Sequence, residues 1–482
     1  MEIILVQFNQ PELTAETIKS IKKHTKGPYK LTVHDNYPQN ENLAIVWNRL
    51  IEQSDEEIIC LFNDDAVAEE GWDKMREVLK DPKVGAVGPT TNNCGSEQKD
   101  MPRADKIQES KDISGFCYLF RKSVWEEVGR FPEDFPFYGQ ESVFNRKLQA
   151  AGYKLMIDRR VFIYHHKGQS YKKAVKDGIV KDDQRTRGAF HYWNFLDRLN
   201  KVKHLPKPVI LGAGKGNPFP TFMGIDQFVS DFGGVHLPSE ASYEEIMSHK
   251  PEIVIVVQSR YIPELLQNVL KLKMAGVKTA LYFMDLRENW NCPILPYDNV
   301  FLCAEGLVEK WKEKYKTNVH WLPQATIQQP VIPEGKGYHL VHIGDLTSHI
   351  HVNRKRIADQ LNPKQINEVD REKRAKVVSE MWGVYSNSDF SLAVSPEVKG
   401  YTSDRIYHIM GSGGCLLSYD PGGLDHLKRY GLWFKTVEEA KRLLETPKEV
   451  RDLIKEKAFD YTQTNHLYKD RLIKILCTGL KN

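Results

Sequence analysis

The chain has 482 residues, 41% of them hydrophobic and 27% charged, which is too long for one ordinary core and gives an expectation of about three globular domains. Its 68 basic and 64 acidic side chains leave a formal charge of +4, so no global field argues for nucleic acid. The amino terminus has no basic n-region and no apolar run approaches a membrane span, and the seven cysteines form no Cys-x-x-Cys pair, so the chain reads as a cytoplasmic protein with reduced, buried thiols.

In chain order, Ile3 to Phe8 predicts a strand, Leu13 to His24 a helix with Ile18 and Ile21 on one face, and Lys30 to His34 a second strand ending at Asp35-Asn36. Ile58 to Asp65 follows, Ile-Ile-Cys-Leu-Phe-Asn-Asp-Asp. Five apolar residues without alternation predict a strand buried on both faces, stopped by acids at its carboxyl end, where open α/β sheets bind ligands. Asp64 and Asp65 side by side lose water cheaply only against a cation or donors, which suits a hard metal ion with phosphate oxygens. The same pair serves equally as a helix cap. Met75 to Leu79 reads as helical, Val84 to Val87 as a strand, and Thr90 to Lys111 as a polar loop long enough to be functional.

From Ile113 come Ser114-Gly115-Phe116-Cys117, then Val128-Gly129-Arg130-Phe131, then Tyr138-Gly139-Gln140-Glu141, a helix to Ala151, a strand through Tyr164, and His165-His166. With Asn9, Asp35-Asn36 and Asn63-Asp64-Asp65, this order resembles a family 2 glycosyltransferase of the GT-A fold over residues 1 to about 175. The resemblance implies a sugar-nucleotide donor, a UDP-sugar first among them, with Asp35 on its base or ribose and Asp64 near ribose and sugar. It also implies Mn2+ or Mg2+ held by Asp65, with His165 beside metal and diphosphate, His166 being the second choice. Glu141 matches the general base of a direct, inverting transfer. The family commonly has Glu-Asp where this chain has Gln140-Glu141, and its next acid is replaced here by Val143. Read without the family, Glu141 is a helix-start acid at a positive dipole end, and His165 is a structural histidine on a strand end.

After Ser170 the chain is strongly charged to Arg187, and Phe190 to Leu199 places Trp193, Phe195, Leu196 and Leu199 on one possible helical face. Leu205-Pro206-Lys207-Pro208 punctuates the sequence, so the first domain is drawn as 1–205. The second half restarts as α/β with Val209-Ile210-Leu211 and Gly212-Ala213-Gly214-Lys215-Gly216-Asn217-Pro218. The third glycine of a dinucleotide fingerprint falls at Asn217, and Pro218 and Pro220 argue against a helix there. Strands are predicted at Ile253 to Val257, Thr279 to Met284, Val300 to Cys303 and Val319 to Leu322, helices at Pro263 to Lys273 and Leu307 to Lys314, and a linker at Pro323 to Lys336. A third unit opens with Leu340 to Ile343 and the Gly344-Asp345 turn. Asp285 is a further acid after a strand, catalytic or capping.

Gly400 to Ser418 reads as helix, glycine turn and buried strand, a geometry that brings main-chain amides close to a phosphate. With Trp321-Leu322-Pro323-Gln324-Ala325 and a closing Tyr461 to Leu476 helix, residues 208 to 476 resemble GT-B glycosyltransferases, nearest the spore-maturation-protein-like group. The implied architecture is an amino-terminal GT-A domain followed by a GT-B module of two Rossmann-like domains, 206–330 and 331–482. Arg354 and Arg356 are implied diphosphate contacts, Arg405 a donor or fold residue, and Gly413-Gly414 the donor loop. Arg354, Lys355 and Arg356 equally read as a solvated basic helix start. Retaining relatives often carry two glutamates where this chain has Gly400 and His408.

The whole sequence thus suggests a bifunctional, metal-dependent glycosyltransferase acting on a glycan or glycoconjugate, as in polysaccharide biosynthesis. Its rivals are a single active front module with a non-catalytic partner, a sugar-phosphate nucleotidyltransferase, and a glycosyltransferase of modified phage DNA bases, from which the near-neutral charge points away.

Overall fold

The computed structural model describes residues 1–99, 101–133, 135, 139–166, 168–178, 184–258, 263–284, 297–329, 331–346, 352–366 and 371–480. Asp285, Cys292 and Tyr138 lie outside the described residues. The chain divides into two units, Met1–Asp197 and Arg198–Asn482.

The first unit runs β1 (Glu2–Gln7), α1 (Pro11–His24), β2 (Lys30–Asp35), α2 (Leu43–Gln53), β3 (Ile58–Asn63), β4 (Ala66–Val67), a 3-10 segment (Trp72–Lys80), β5 (Val84–Thr91), β6 (Ile107–Ser110), β7 (Cys117–Arg121), α3 (Lys122–Val128), α4 (Gln140–Ala150), β8 (Lys154–His165), α5 (Gln169–Lys176) and α6 (Gln184–Val202). One eight-stranded sheet orders them β2-β1-β3-β7-β5-β8-β4, with β6 paired to β8. β1, β2 and β3 are parallel, while β7 runs antiparallel to β3 and β5. Alternate residues of the apolar run feed two cores on opposite faces: Cys60 and Phe62 pack with Ile3, Leu5 and Trp72, and Ile59 and Leu61 pack with Ile4, Trp47 and Phe120. Burial on both faces is why β3 lacks polar alternation.

Several expectations are corrected here. Part of the Thr90 to Lys111 loop is strand, because β5 extends to Thr91 and Ile107–Ser110 pairs with β8. Leu43–Gln53 is a helix capped by the Asn42 side chain, which accepts from the Ala44 N–H. On α6, Phe195 is buried but Trp193 is 68% exposed, so the two do not share a buried face.

The second unit opens with β9 (Val209–Gly212), α7 (Pro220–Phe232), β10 (Val235–Pro238), α8 (Tyr243–Ser248), β11 (Ile253–Gln258), α9 (Pro263–Met274), β12 (Lys278–Phe283), β13 (Asn299–Leu302), α10 (Val308–Tyr315) and β14 (Asn318–Trp321). These strands form a parallel sheet in the order β10-β9-β11-β12-β13-β14. It continues with β15 (Leu340–Ile343), α11 (Val352–Leu361), β16 (Lys364–Ile366), α12 (Arg371–Asn387), β17 (Phe390–Ala393), α13 (Asp404–Gly411), β18 (Leu416–Tyr419), β19 (Leu432–Phe434), α14 (Val437–Leu443), α15 (Lys448–Asn465) and α16 (Tyr468–Gly479). This second sheet is also parallel, ordered β16-β15-β17-β18-β19.

Pro220 does not obstruct a helix. It starts α7, where a first-turn proline has no N–H to lose. The closing segment is two helices broken at His466-Leu467 rather than one. Buried Lys469 on α16 pairs with Asp231 on α7 and donates to Gln328 Oε1 at 2.8 Å. No helix among the described residues is long and apolar enough to cross a membrane.

Candidate active sites

The carboxyl ends of β1, β2 and β3 share one sheet edge, which carries Phe8, Asp35 and Asn63-Asp64-Asp65. Asp35 is exposed there and accepts from the Tyr37 N–H at 3.0 Å. Asp64 and Asp65 are 6% and 4% exposed. The Phe8 N–H donates to Asp64 Oδ2 at 3.0 Å, tying the end of β1 to the acidic corner. Helix α1 holds the corner from behind: Thr17 Oγ1 donates to the Asp64 carbonyl at 3.0 Å, and Ser20 Oγ accepts from the Ala68 N–H at 2.9 Å.

Past the corner, β4 pairs antiparallel with the end of β8, setting Ala66 opposite His165. Asp65 Oδ1 and His165 Nε2 consequently lie 3.2 Å apart. The His165 ring stacks on Phe116 at 4.9 Å, and its Nδ1 lies 2.7 Å from the Asn93 carbonyl oxygen. A carbonyl only accepts, so Nδ1 carries a proton, and Nε2 is the ring nitrogen that faces the carboxylate. Nε2 is buried and without a hydrogen-bond donor or acceptor. Either a second proton or a cation must sit between these two groups.

A divalent cation fits. Two ligands held at about 2.1 Å and at right angles around an octahedral ion are about 3 Å apart. Among the described residues no group of three or more His, Cys, Asp or Glu side chains gathers, but Mg2+-type ions paired with phosphates commonly use only one or two protein ligands. His166 points elsewhere, with Nε2 3.7 Å from Glu16.

Glu141 begins α4, after Gly139 at φ +103. Its side chain lies against Gly115, where a methyl would sit 3.4 Å from Glu141 Cγ. Loss of water pushes the Glu141 carboxyl up to about 7; Asp112 adds to the rise, and the Glu141 and Gly115 backbone N–H groups oppose it. A carboxylate poised near neutrality suits general base work. Asp112 itself is raised, chiefly by burial, and accepts from Ser142 and Asn145 of α4.

In the second unit the structure brings Arg354 and Arg405 to the carboxyl edge of the β15–β19 sheet. Arg405 Nε donates to the Ile343 carbonyl at 2.8 Å, and its guanidinium lies over Gly344, where φ is +127 and a Cβ would sit 2.5 Å from it. Arg354 is 7% exposed and donates to the Val394 and Asp345 carbonyls, each at 3.1 Å. Burial, with Arg405 adding to it, lowers Arg354 to about 10. Asp345 and Asp404 act on Arg354 through charge, and Arg405 acts on Asp404, so the edge carries two arginines with two acids near them.

Arg356 is exposed on α11. Gly413 and Gly414 are not brought to that edge. They precede β18 at its amino-terminal end, where a Cβ on Gly413 would strike Ile332 and one on Gly414 the Ile409 and Tyr385 carbonyls, so they serve close packing. The glycine turn at the carboxyl end is Gly422-Gly423, at φ +82 and +77. Gly400, φ +69, lies against Glu305, and His408 is buried with Nδ1 3.0 Å from Thr326 Oγ1.

Sequence reasoning missed Thr17, Ser20, Asn93 and Asp112. Thr14, Thr17 and Ser20 had a signal, small polar residues at helical spacing and buried on α1. Asn93 and Asp112 had none beyond lying in or next to a long polar loop.

Residues 344–477 match the glycosyl transferase-like family. No curated protein matches the chain. Among solved structures the chain is similar to GalNAc-T7 with UDP, GalNAc and Mn2+, at 11% identity and a TM-score of 0.31, over 41% of this chain and 50% of that one. It is also similar to S. aureus TarS 1–349, at 11% identity and 0.28 over 40% and 70%, and to S. aureus TarS, at 12% and 0.28 over 40% and 42%. The chain spans half the length of the first of these. Residues 344–477 of the second unit therefore carry a glycosyl transferase-like domain.

Proposed function

We propose that the chain is a two-module glycosyltransferase, a metal-dependent inverting GT-A module over 1–205 followed by a GT-B module over 206–330 and 331–482. The observation that carries the front assignment is His165 Nε2 set 3.2 Å from Asp65 Oδ1 at the carboxyl edge of the sheet. Asp65 and His165 would hold Mn2+ or Mg2+, Asp35 would meet the base or ribose of a UDP-sugar or related donor, and Asp64 the ribose and sugar. The cation, when bound, neutralises charge on the departing diphosphate as a Lewis acid.

Glu141 accepts the proton of the acceptor hydroxyl. The freed oxygen forms a bond to the anomeric carbon from the face opposite the leaving group, and the bond from that carbon to the diphosphate oxygen breaks. Nucleoside diphosphate and an inverted glycoside result, and Glu141 returns its proton to solvent.

In the second module Arg354 and Arg405 take the diphosphate of another donor, Arg356 lying exposed two residues beyond. Fusion raises the effective concentration of the first product at the second site, which suits consecutive additions to one glycan. A second reading has a support of its own: Gly400 offers no side chain and His408 is buried on Thr326, which favours a donor-binding module without turnover. Product analysis of the full chain tests both. Asp65→Ala abolishes the first transfer and Arg405→Ala the second; a single product that Arg405→Ala leaves unchanged supports the non-catalytic reading, and pyrophosphate release instead of nucleoside diphosphate overturns the transferase.

A further inference from the structure

Asp112 ends the turn after β6, and its carboxylate reaches the first turns of α4. Ser142 Oγ donates to Asp112 Oδ2 at 3.2 Å, and Asn145 Nδ2 donates to Oδ1. Asn145 is fully buried. It also donates to the Ile113 carbonyl at 2.8 Å and accepts from the Tyr118 hydroxyl at 2.6 Å. A chain of hydrogen bonds therefore runs from β7 through Asn145 and Asp112 to Ser142, the residue after Glu141. Gly115, three residues beyond Asp112, is the floor under the Glu141 side chain.

A buried polar network with all its members bonded fixes one geometry. It could do so with a neutral amide at position 112. Burying a carboxylate there costs desolvation and leaves a negative charge beside a second carboxyl group. Among the described residues the other charged or titratable groups around this network are Arg146, which donates to the Lys111 carbonyl, to Gln149 and to the Tyr192 hydroxyl, Tyr118, and Glu97, which accepts from Ser110.

We propose that Asp112 is a positioning residue for the transfer reaction: it locks the first turn of α4 through Ser142 and Asn145 and sets its own carboxyl group against the residue that follows Glu141. The proposal rests on the reading of Glu141 as base and adds the group that sets its strength. A like charge disfavours ionisation of its neighbour, so Asp112 and desolvation act in the same direction on Glu141.

The test is carboxyl-carbon NMR of the full chain labelled with [δ-13C]glutamate, the Glu141 resonance being identified by its absence in Glu141→Gln. The wild-type midpoint is expected at about 7. Asp112→Asn retains the network, because the Ser142 hydroxyl can accept from the new amide, and lowers the midpoint by about half a pH unit or more. Ser142→Ala keeps the charge and leaves the midpoint in place. An unmoved midpoint in folded Asp112→Asn overturns the proposal. If Asp112→Asn does not fold, Asp112→Ser removes the charge with a smaller polar side chain, and an unmoved midpoint there overturns it equally. The base reading fails separately, by an acid limb of kcat/KM that survives Glu141→Gln, since the NMR midpoint requires no turnover.

Discussion

Glu141 sits where two demands conflict. As the proposed base it must ionise near neutral pH, yet its surroundings favour the neutral acid and push it from an ordinary 4.5 to about 7. Activity should therefore fall as pH drops below about 7, and Glu141→Gln should cost about 10²- to 10⁴-fold in kcat and remove that limb. Stability runs the other way. Between pH 4.5 and about 7 the folded protein keeps a proton that the unfolded chain has lost, so ionisation of Glu141 makes stability fall as pH rises through that window. Thermal melting above pH 7 should show Glu141→Gln more stable than wild type, with the difference closing below pH 4.5; equal melting at both ends would contradict the desolvated carboxyl.

At the scale of elements, the acidic corner is held as much by α1 as by β3. Thr17→Val removes the donor to the Asp64 carbonyl and should cost about 1–3 kcal/mol of stability, with a weaker metal-dependent donor affinity, measured by denaturant melts and calorimetric titration. The strand and its acids were legible because a parallel strand buried on both faces must be apolar to its end, so the first polar residues mark the edge. Asp65 and His165 were legible as types and by order along the chain. Their meeting was implied only by the family resemblance, since from the residues alone it depends on the two-residue strand β4 pairing with β8, a contact spanning about a hundred residues. Gly413-Gly414 misled for the converse reason: glycines serve close packing as readily as phosphate approach, and only the direction of β18 shows which edge they occupy. Pro220 misled because proline bars a helix interior and suits its first turn. Asp112 left no pattern, being one acid in a polar stretch.

Across the whole molecule, the proposed reading gives the two units separate sites, each of which should be disabled alone. Lys469 and Asp231 lock α16 to α7 in the second unit. Lys469→Ala removes the buried contacts to Asp231 and Gln328 and should lower the stability of that unit, read as an earlier unfolding transition in calorimetry. The acidic corner of the first unit should keep its nucleotide affinity in that variant below the transition. The most direct measurement of the central claim is calorimetric titration of the full chain with UDP, GDP and dTDP, with and without Mn2+, in wild type, Asp65→Ala and His165→Ala. We expect a metal-dependent binding event in wild type that Asp65→Ala abolishes and His165→Ala weakens, beside a metal-independent event both variants retain. Binding that Mn2+ does not alter, or that Asp65→Ala leaves intact, would contradict the account.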